Sequence, residues 1–234
     1  MRKLKFLTIV SVTCTLITIV FQYSCSKKIN NSQNITIASS GKIESIDPAR
    51  ANTLKAYQLL NALGDTLYEL NNEGELIPKL AESEPIFSKD KLKIFIKLKK
   101  NIFFHDGTPF DSSSMKFTIE RFQKIGTLNY ILNKKIKSIE TPTKELLIIN
   151  LNNPSSSIEG LLTSLNLTPI SPNFYKDHFD KFLNNNFVGT GEYKLKRFSN
   201  EIQILSPNVS YWNHKPKNNG INFIGYNSSS TLYG

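Results

Sequence analysis

The stretch from Lys93 to Phe110, KIFIKLKKNIFFHDGTPF, decides how this chain is read. Leu92, Ile94, Ile96 and Leu98 fall on one side of an extended chain, and Lys91, Lys93, Phe95, Lys97 and Lys99 fall on the other. A period of two is that of a strand with one buried face, because successive side chains leave a pleated backbone on opposite sides. The lysines are therefore expected on the wet face of a sheet. After a second apolar run, Ile102-Phe103-Phe104, the pair Asp106-Gly107 supplies turn chemistry: glycine tolerates positive φ and the aspartate can accept from nearby backbone. Beyond Pro109, Asp111 stands as an N-cap before Met115, Ile119 and Phe122, which recur at i, i+4 and i+7 until Gly126. The unit reads as strand, turn, helix.

Working outward toward the N-terminus, Thr66 to Leu70 and Leu76-Ile77-Pro78 flank the turn Asn71-Asn72-Glu73-Gly74. Before them, Thr53 caps a helix with Leu54, Tyr57, Leu60 and Leu63 at near-helical spacing, closed by Gly64. Ile35 to Ala38 form a short strand that runs into Ser39-Ser40-Gly41. Toward the C-terminus, a hairpin joins Ile136–Glu140 to Glu145–Leu151 through Thr141-Pro142-Thr143-Lys144, and Ser156 or Ser157 opens a short helix through Leu162. The last third carries Val188-Gly189-Thr190-Gly191-Glu192-Tyr193 and strand-like runs at Tyr193–Phe198, Ile202–Leu205, Asn208–Trp212 and Ile221–Ile224.

The N-terminus has another character. Arg2, Lys3 and Lys5 precede an uncharged run from Phe6 to Phe21, too short for a span of about 20 residues, so residues 1–24 are expected to be an export signal. A small residue, Ser24, stands before Cys25, as in a bacterial lipoprotein signal, and Cys25 is the expected site of lipidation, with soluble export or an uncleaved anchor as alternatives. Residues 25–34 would form a polar tether. The only two cysteines are Cys14 and Cys25, so the exported part must hold itself together by packing, without a disulfide.

Composition and motifs exclude several function classes. The net charge is +10, but the lysines are scattered singly in an Asn- and Ile-rich chain and make no phosphate-binding patch, so no nucleic-acid partner is expected. His105-Asp106 could orient a proton or a metal, yet only His105, His178 and His214 exist and none has a second ligand at suitable spacing. Gly189-Thr190-Gly191 lacks both the Lys-Ser/Thr ending of a P-loop and the third glycine of a dinucleotide fingerprint. The serine runs at 112–114, 155–157 and 228–230 lack a G-x-S-x-G frame. Neither an enzyme, nor a metal, nor a cofactor is expected. Tyr211-Trp212, with the chain's only tryptophan, reads first as an anchor at a strand end.

Taken in order, several segments resemble the extracytoplasmic solute-binding proteins of ABC importers, of the class that handles oligopeptides, dipeptides and nickel. They are Ile46-Asp47-Pro48-Ala49; Leu67-Tyr68-Glu69-Leu70 with Gly74, Pro78 and Leu80-Ala81-Glu82-Ser83; Phe95 to Phe117 with Phe104-His105-Asp106-Gly107-Thr108-Pro109; the hairpin into Asn153-Pro154; and Val188-Gly189-Thr190-Gly191-Glu192-Tyr193 followed by Asn208-Val209-Ser210-Tyr211-Trp212. The similarity runs over residues 35–224. The family usually has proline where Glu192 stands.

The resemblance implies an α/β fold, a periplasmic-binding-protein type II-like lobe with an inserted smaller α+β subdomain. Residues 35–45 and 170–234 would make an incomplete first lobe and residues 46–169 the insertion. A second lobe is not expected within these residues, because family members are more than twice as long. The implied role is to trap a peptide or other small solute between two lobes and pass it to an ABC permease of the inner membrane. That places the protein in the periplasm, tied to the membrane through Cys25. Ser39, Ser40, Gly189 and Thr190, at strand ends facing the implied cleft, are the candidate ligand contacts. A non-binding remnant or an envelope interaction protein is the alternative.

Overall fold

A computed structural model describes residues 33–226 of the chain. The signal segment 1–24, Cys25, most of the tether and the tail 227–234 lie outside the described residues. Two four-stranded sheets organise what is described. The first has the order β1-β10-β9-β8, built from Ile35–Ser40 (β1), Tyr193–Phe198 (β8), Ile202–Pro207 (β9) and Ile221–Tyr226 (β10). β1 lies parallel to β10, with Ile35 opposite Ile221 and Ile37 opposite Phe223, while the other pairs are antiparallel. The sheet thus joins the start of the described chain to its end. The second sheet is antiparallel throughout, in the order β4-β5-β7-β6: Ile86–Phe87 (β4), Lys93–Lys97 (β5), Ile136–Thr143 (β6) and Leu146–Leu151 (β7). A small hairpin, Tyr68–Leu70 (β2) with Leu76–Pro78 (β3), completes the strands.

The alternation that opened the sequence is realised in β5, where Ile94 and Ile96 are fully buried and Lys93 and Lys97 are exposed. Helix α2, Ser112–Ile125, begins where expected: the Asp111 side chain accepts from the Ser114 backbone N–H at 2.9 Å, and the Ser114 hydroxyl accepts from the Asp111 N–H at 2.9 Å. Its buried residues Met115, Ile119 and Phe122 lie in one core with Ile94, Ile96, Leu147 and Ile149 of the second sheet. Helix α1, Leu54–Leu63, is capped by Thr53, whose hydroxyl accepts from the Ala56 N–H at 3.3 Å, and its Leu59, Leu60 and Leu63 are fully buried. These three lie in a separate core with Tyr193, Leu205, Ile221 and Phe223 of the first sheet. At about 1.5–3 kcal/mol per fully buried aliphatic side chain, that face alone fixes α1 to its sheet.

Three differences from the sequence reading have physical reasons. Asn208–Trp212 is a turn rather than a strand, because its side chains are drawn to a buried carboxylate described below. Helix α3, Asn129–Lys135, runs directly into β6 with only Leu132 buried, so its apolar pattern is too sparse to stand out in the sequence. Strand β4 is two residues long, below the length at which alternation is visible. Two further short helices, α4 (Ile158–Leu162) and α5 (Pro172–Tyr175), follow β7. Among the described residues no helix is long and apolar enough to cross a membrane.

Candidate functional site

The Gly189–Gly191 loop lies against the end of α1, and glycine is required there by proximity. The Gly191 N–H donates to the Leu63 carbonyl at 3.0 Å, and a Cβ on Gly191 would stand 2.3 Å from the Leu63 carbonyl carbon and 2.4 Å from the Gly64 nitrogen. Such contacts do not occur between real atoms, so the backbone could not pass there with any side chain. The same loop is held from the other side by the His-Asp-Gly turn. The His105 N–H donates to the Gly189 carbonyl at 2.8 Å and the His105 Nε2–H to the Gly191 carbonyl at 3.0 Å, while the Lys194 ammonium donates to the His105 carbonyl at 2.9 Å. Because a carbonyl can only accept, the ring carries its proton on Nε2. Nδ1 is buried without a partner. Burial first, then the neighbouring Lys194, depress the imidazole pKa from 6.5 to about 4, against the opposing pull of the Gly191 carbonyl, Asp65 and Asp106. This histidine is a neutral strut, not an acid–base group at neutral pH. Asp106 closes the same turn by accepting from Thr108 N–H at 3.0 Å and from the Ser171 hydroxyl at 2.6 Å. Gly107, at φ +84°, supplies the left-handed residue the turn needs.

Just after α1, Asp65 gathers four side chains. Its carboxylate accepts from the Thr190 hydroxyl at 3.0 Å, the Tyr211 hydroxyl at 2.9 Å and the Trp212 indole N–H at 3.0 Å, and the Lys79 ammonium stands 3.5 Å away. The Thr190 hydroxyl accepts in turn from the Asp65 backbone N–H at 3.2 Å. A buried carboxylate is tolerable only when its lone pairs are filled, and here three donors and a cation fill them. Burial, and then the Asp65 charge, hold the Tyr211 hydroxyl well above its ordinary range. Burial and Asp65 likewise raise the Glu192 carboxyl, with Lys79 opposing them. The Trp212 ring also carries the Lys99 ammonium 4.8 Å from its centroid.

A second buried charge ties α2 to the opposite core. Arg121 donates from both terminal nitrogens to Asp47, at 2.9 and 2.7 Å, and to the Lys181 carbonyl at 2.6 Å. Asp47 also accepts from the Ala49 and Leu183 backbone N–H groups at 3.0 and 2.7 Å, and Tyr175 lies under the guanidinium. Both charged side chains are essentially inaccessible to water. The sequence signalled neither Asp65 nor the Arg121 partnership with Asp47. The only available cue was polarity out of place, an aspartate directly after a helix-ending glycine and an arginine on the apolar side of α2.

The candidate ligand contacts separate into two groups. Thr190 is fully buried, its hydroxyl is taken by Asp65, and Gly189 serves the backbone path. Ser39 and Ser40 finish β1, with Ser40 exposed; Ser39 borders a shallow depression with Lys55, Gln58 and Gln203, in which Gly189 and Thr190 take no part. No group of three acidic, histidine or cysteine side chains among the described residues could hold a metal ion.

Residues 75–233 match the middle part of the bacterial extracellular solute-binding proteins, family 5. Over 183 residues the chain is 27% identical to the glutathione-binding protein GsiB of Escherichia coli O6:K15:H31, an alignment covering 77% of this chain and 35% of that protein. The fold matches Listeria monocytogenes OppA bound to peptide, with a TM-score of 0.76 at 22% identity, covering 86% of this chain and 44% of that one. It matches NikZ from Campylobacter jejuni in complex with Ni(L-His), with a TM-score of 0.77 at 23% identity, covering 86% and 41%. Helicobacter pylori DppA in complex with the peptide STSA gives a TM-score of 0.74 at 24% identity, covering 85% and 44%. The chain thus spans about a third of the length of the curated relatives it matches and about two fifths of the solved ones.

Proposed function

The chain belongs to the bacterial extracellular solute-binding proteins, family 5, and we propose that it serves an ABC importer as a non-enzymatic receptor for a peptide or a similarly small solute. The observation that carries this reading is the family match over residues 75–233 together with a shared fold among proteins whose bound ligands are peptides and a nickel complex. In this reading residues 35–45 and 170–234 belong to one lobe and residues 46–169 are an insertion whose helix α1 folds back onto the lobe's sheet. Ser39 and Ser40, at the open end of β1, face the solute. Gly189 and Thr190 serve the interior of the lobe, against α1 and Asp65, away from the depression that Ser39 borders. The protein works in the periplasm, held at the membrane through a lipid on Cys25, and hands its solute to a permease.

The direct test is thermal unfolding of the full chain with a panel of dipeptides, tetrapeptides, glutathione and nickel–histidine. A ligand present at 100 times its Kd stabilises by about 2.7 kcal/mol, which for a chain of this size raises the midpoint by roughly 5–10 °C. A shift confined to one chemical class is the expected result. Flat midpoints across the whole panel contradict binding, and would favour the remnant or interaction protein.

A further inference from the structure

We propose that helix α3 and the loop facing it form a contact for the surface of a bilayer that contains acidic phospholipid, separate from the solute site and from the lipid expected on Cys25. Between Glu120 and Glu140 the chain carries Lys124, Lys134, Lys135 and Lys137 and no acidic residue. In the same stretch Leu128 is 42% and Tyr130 54% exposed. Leu128 stands at the N-cap of α3, where no side-chain bond caps the helix. Water favours serine, asparagine or aspartate at that position, because their side chains accept from the free N–H groups of the first turn. An exposed leucine there, followed by an exposed tyrosine and two lysines, suits an interface that is apolar at its centre and anionic above it.

Two cavities meet at Ile131, and they differ in chemistry. The first, about 350 Å3, lies between Tyr130, Ile131, Lys134 and Lys135 on one side and Asn153–Ser155 on the other. Its walls are tied together: the Asn152 N–H donates to the Lys135 carbonyl at 2.8 Å and the Asn152 amide to the Lys134 carbonyl at 3.2 Å. The Lys135 ammonium is steadied by the Ser155 hydroxyl at 2.9 Å, and Lys134 stands 5.9 Å from the Tyr130 ring centre. Neither lysine meets a carboxylate within ion-pair distance among the described residues. Glu159 borders the next cavity along, where Lys91 accompanies it. The second cavity, about 90 Å3, is a pit between Phe122 of α2, Leu128, Ile131 and Leu132, Leu161 of α4, and Leu167. Its two polar residues are already engaged. Ser164 and Asn166 bond to each other, and Asn166 also donates to the Pro48 and Ala51 carbonyls at 2.6 and 2.9 Å and accepts from the Tyr57 hydroxyl at 3.0 Å. The pit therefore welcomes only hydrocarbon. Ile131 and Lys135 are one turn apart, about 6 Å along the helix, so an occupant crossing Ile131 has an anion on the lysines and an apolar part at the pit. A free inorganic anion would leave the pit and Leu128 unanswered, and a neutral apolar molecule would leave the lysines. A phospholipid with an acidic headgroup answers both.

The test places an environment-sensitive fluorophore on Thr127→Cys of the full chain, with Cys14 and Cys25 replaced by serine so that the label is unique and no lipid is attached. A second chain carries the label on Val209→Cys, which is 73% exposed and belongs to the other end of the fold's sequence. Vesicles of phosphatidylcholine alone are compared with vesicles of equal parts phosphatidylglycerol and phosphatidylcholine. The label at 127 is expected to shift to the blue on the acidic vesicles only, the label at 209 on neither, and the shift to fade as salt is raised. Lys134→Ala and Lys135→Ala are each expected to weaken the response about fivefold, and Leu128→Ser to weaken it as well. Thermal melts show whether each variant keeps its fold. Association through the apolar run Phe6–Phe21 alone would leave the label at 127 unchanged or make both vesicle types equal, and either result overturns the contact. So does a response that ignores both lysine variants, or one that soluble glycerol phosphate reproduces. None of these outcomes bears on the solute reading, whose melts use no lipid.

Discussion

Replacing Asp47 by leucine tests how the two cores are joined. The carboxylate receives two guanidinium bonds, at 2.9 and 2.7 Å, in a place water does not reach. Without it Arg121 keeps only the Lys181 carbonyl and the Tyr175 ring, and its Nε is already buried without a partner. Stranding one member of a buried ion pair costs about 3–5 kcal/mol, a large part of the 5–15 kcal/mol that holds a typical domain together. Arg121→Met should cost less, about 2–3 kcal/mol, because Asp47 retains the Ala49 and Leu183 N–H donors at 3.0 and 2.7 Å. The double variant should cost clearly less than the sum, with a coupling of about 1–3 kcal/mol. Urea unfolding of the full chain, followed by circular dichroism and by Trp212 fluorescence, gives all four corners of the cycle. A cost below about 1 kcal/mol, or strictly additive costs, would refute this account of the pair.

Lowering the pH should destabilise the protein through His105. Its folded pKa, about 4, lies below the unfolded 6.5, so the unfolded chain takes up a proton that the buried ring refuses. The contribution is fully present above pH 6.5 and is lost as pH falls toward 4, to a limit of about 3 kcal/mol. His105→Gln should remove this part of the pH dependence, measured as the difference in urea midpoints between pH 7 and pH 4.5; parallel profiles would contradict it. Gly191→Ala should cost roughly 3 kcal/mol in a urea melt, because the new Cβ would be driven into the backbone of Leu63 and Gly64; a cost under 1 kcal/mol would mean the loop is not pinned there. Asp65→Asn leaves one acceptor oxygen, enough for the side shared by Thr190 and Trp212, and turns a non-accepting amide toward the Tyr211 hydroxyl and the Lys79 ammonium, removing the charge that holds the turn. It should red-shift the single tryptophan's emission and make acrylamide quenching more efficient, whereas an unchanged spectrum would mean that Asp65 does not hold the 208–212 turn.

What the sequence disclosed follows from which interactions are local. The strand with Ile94 and Ile96, the Asp106-Gly107 turn, and the caps at Thr53 and Asp111 depend on neighbours a few residues away, and all are present as read. The buried polar centres depend on partners far along the chain. Asp65 is 125 residues from Thr190 and 146 from Tyr211, and Asp47 is 74 from Arg121. A single sequence carries no distance at that range, so Thr190 looked as available to a solute as Ser39. The tertiary pairing also decides Asn208–Trp212: Tyr211 and Trp212 suit a strand by propensity, but Asp65 provides their polar tips with a buried acceptor, and the backbone turns to deliver them.

The most direct measurement of the central claim is calorimetric titration of the full chain with whichever ligand class shifts its melting point, compared with the Ser39→Trp variant. The account predicts saturable heat with one equivalent bound per chain, a negative heat-capacity change from buried apolar surface, and a severalfold weaker affinity when the end of β1 is obstructed. Heats no larger than dilution, for peptides, glutathione and nickel–histidine alike, would contradict it.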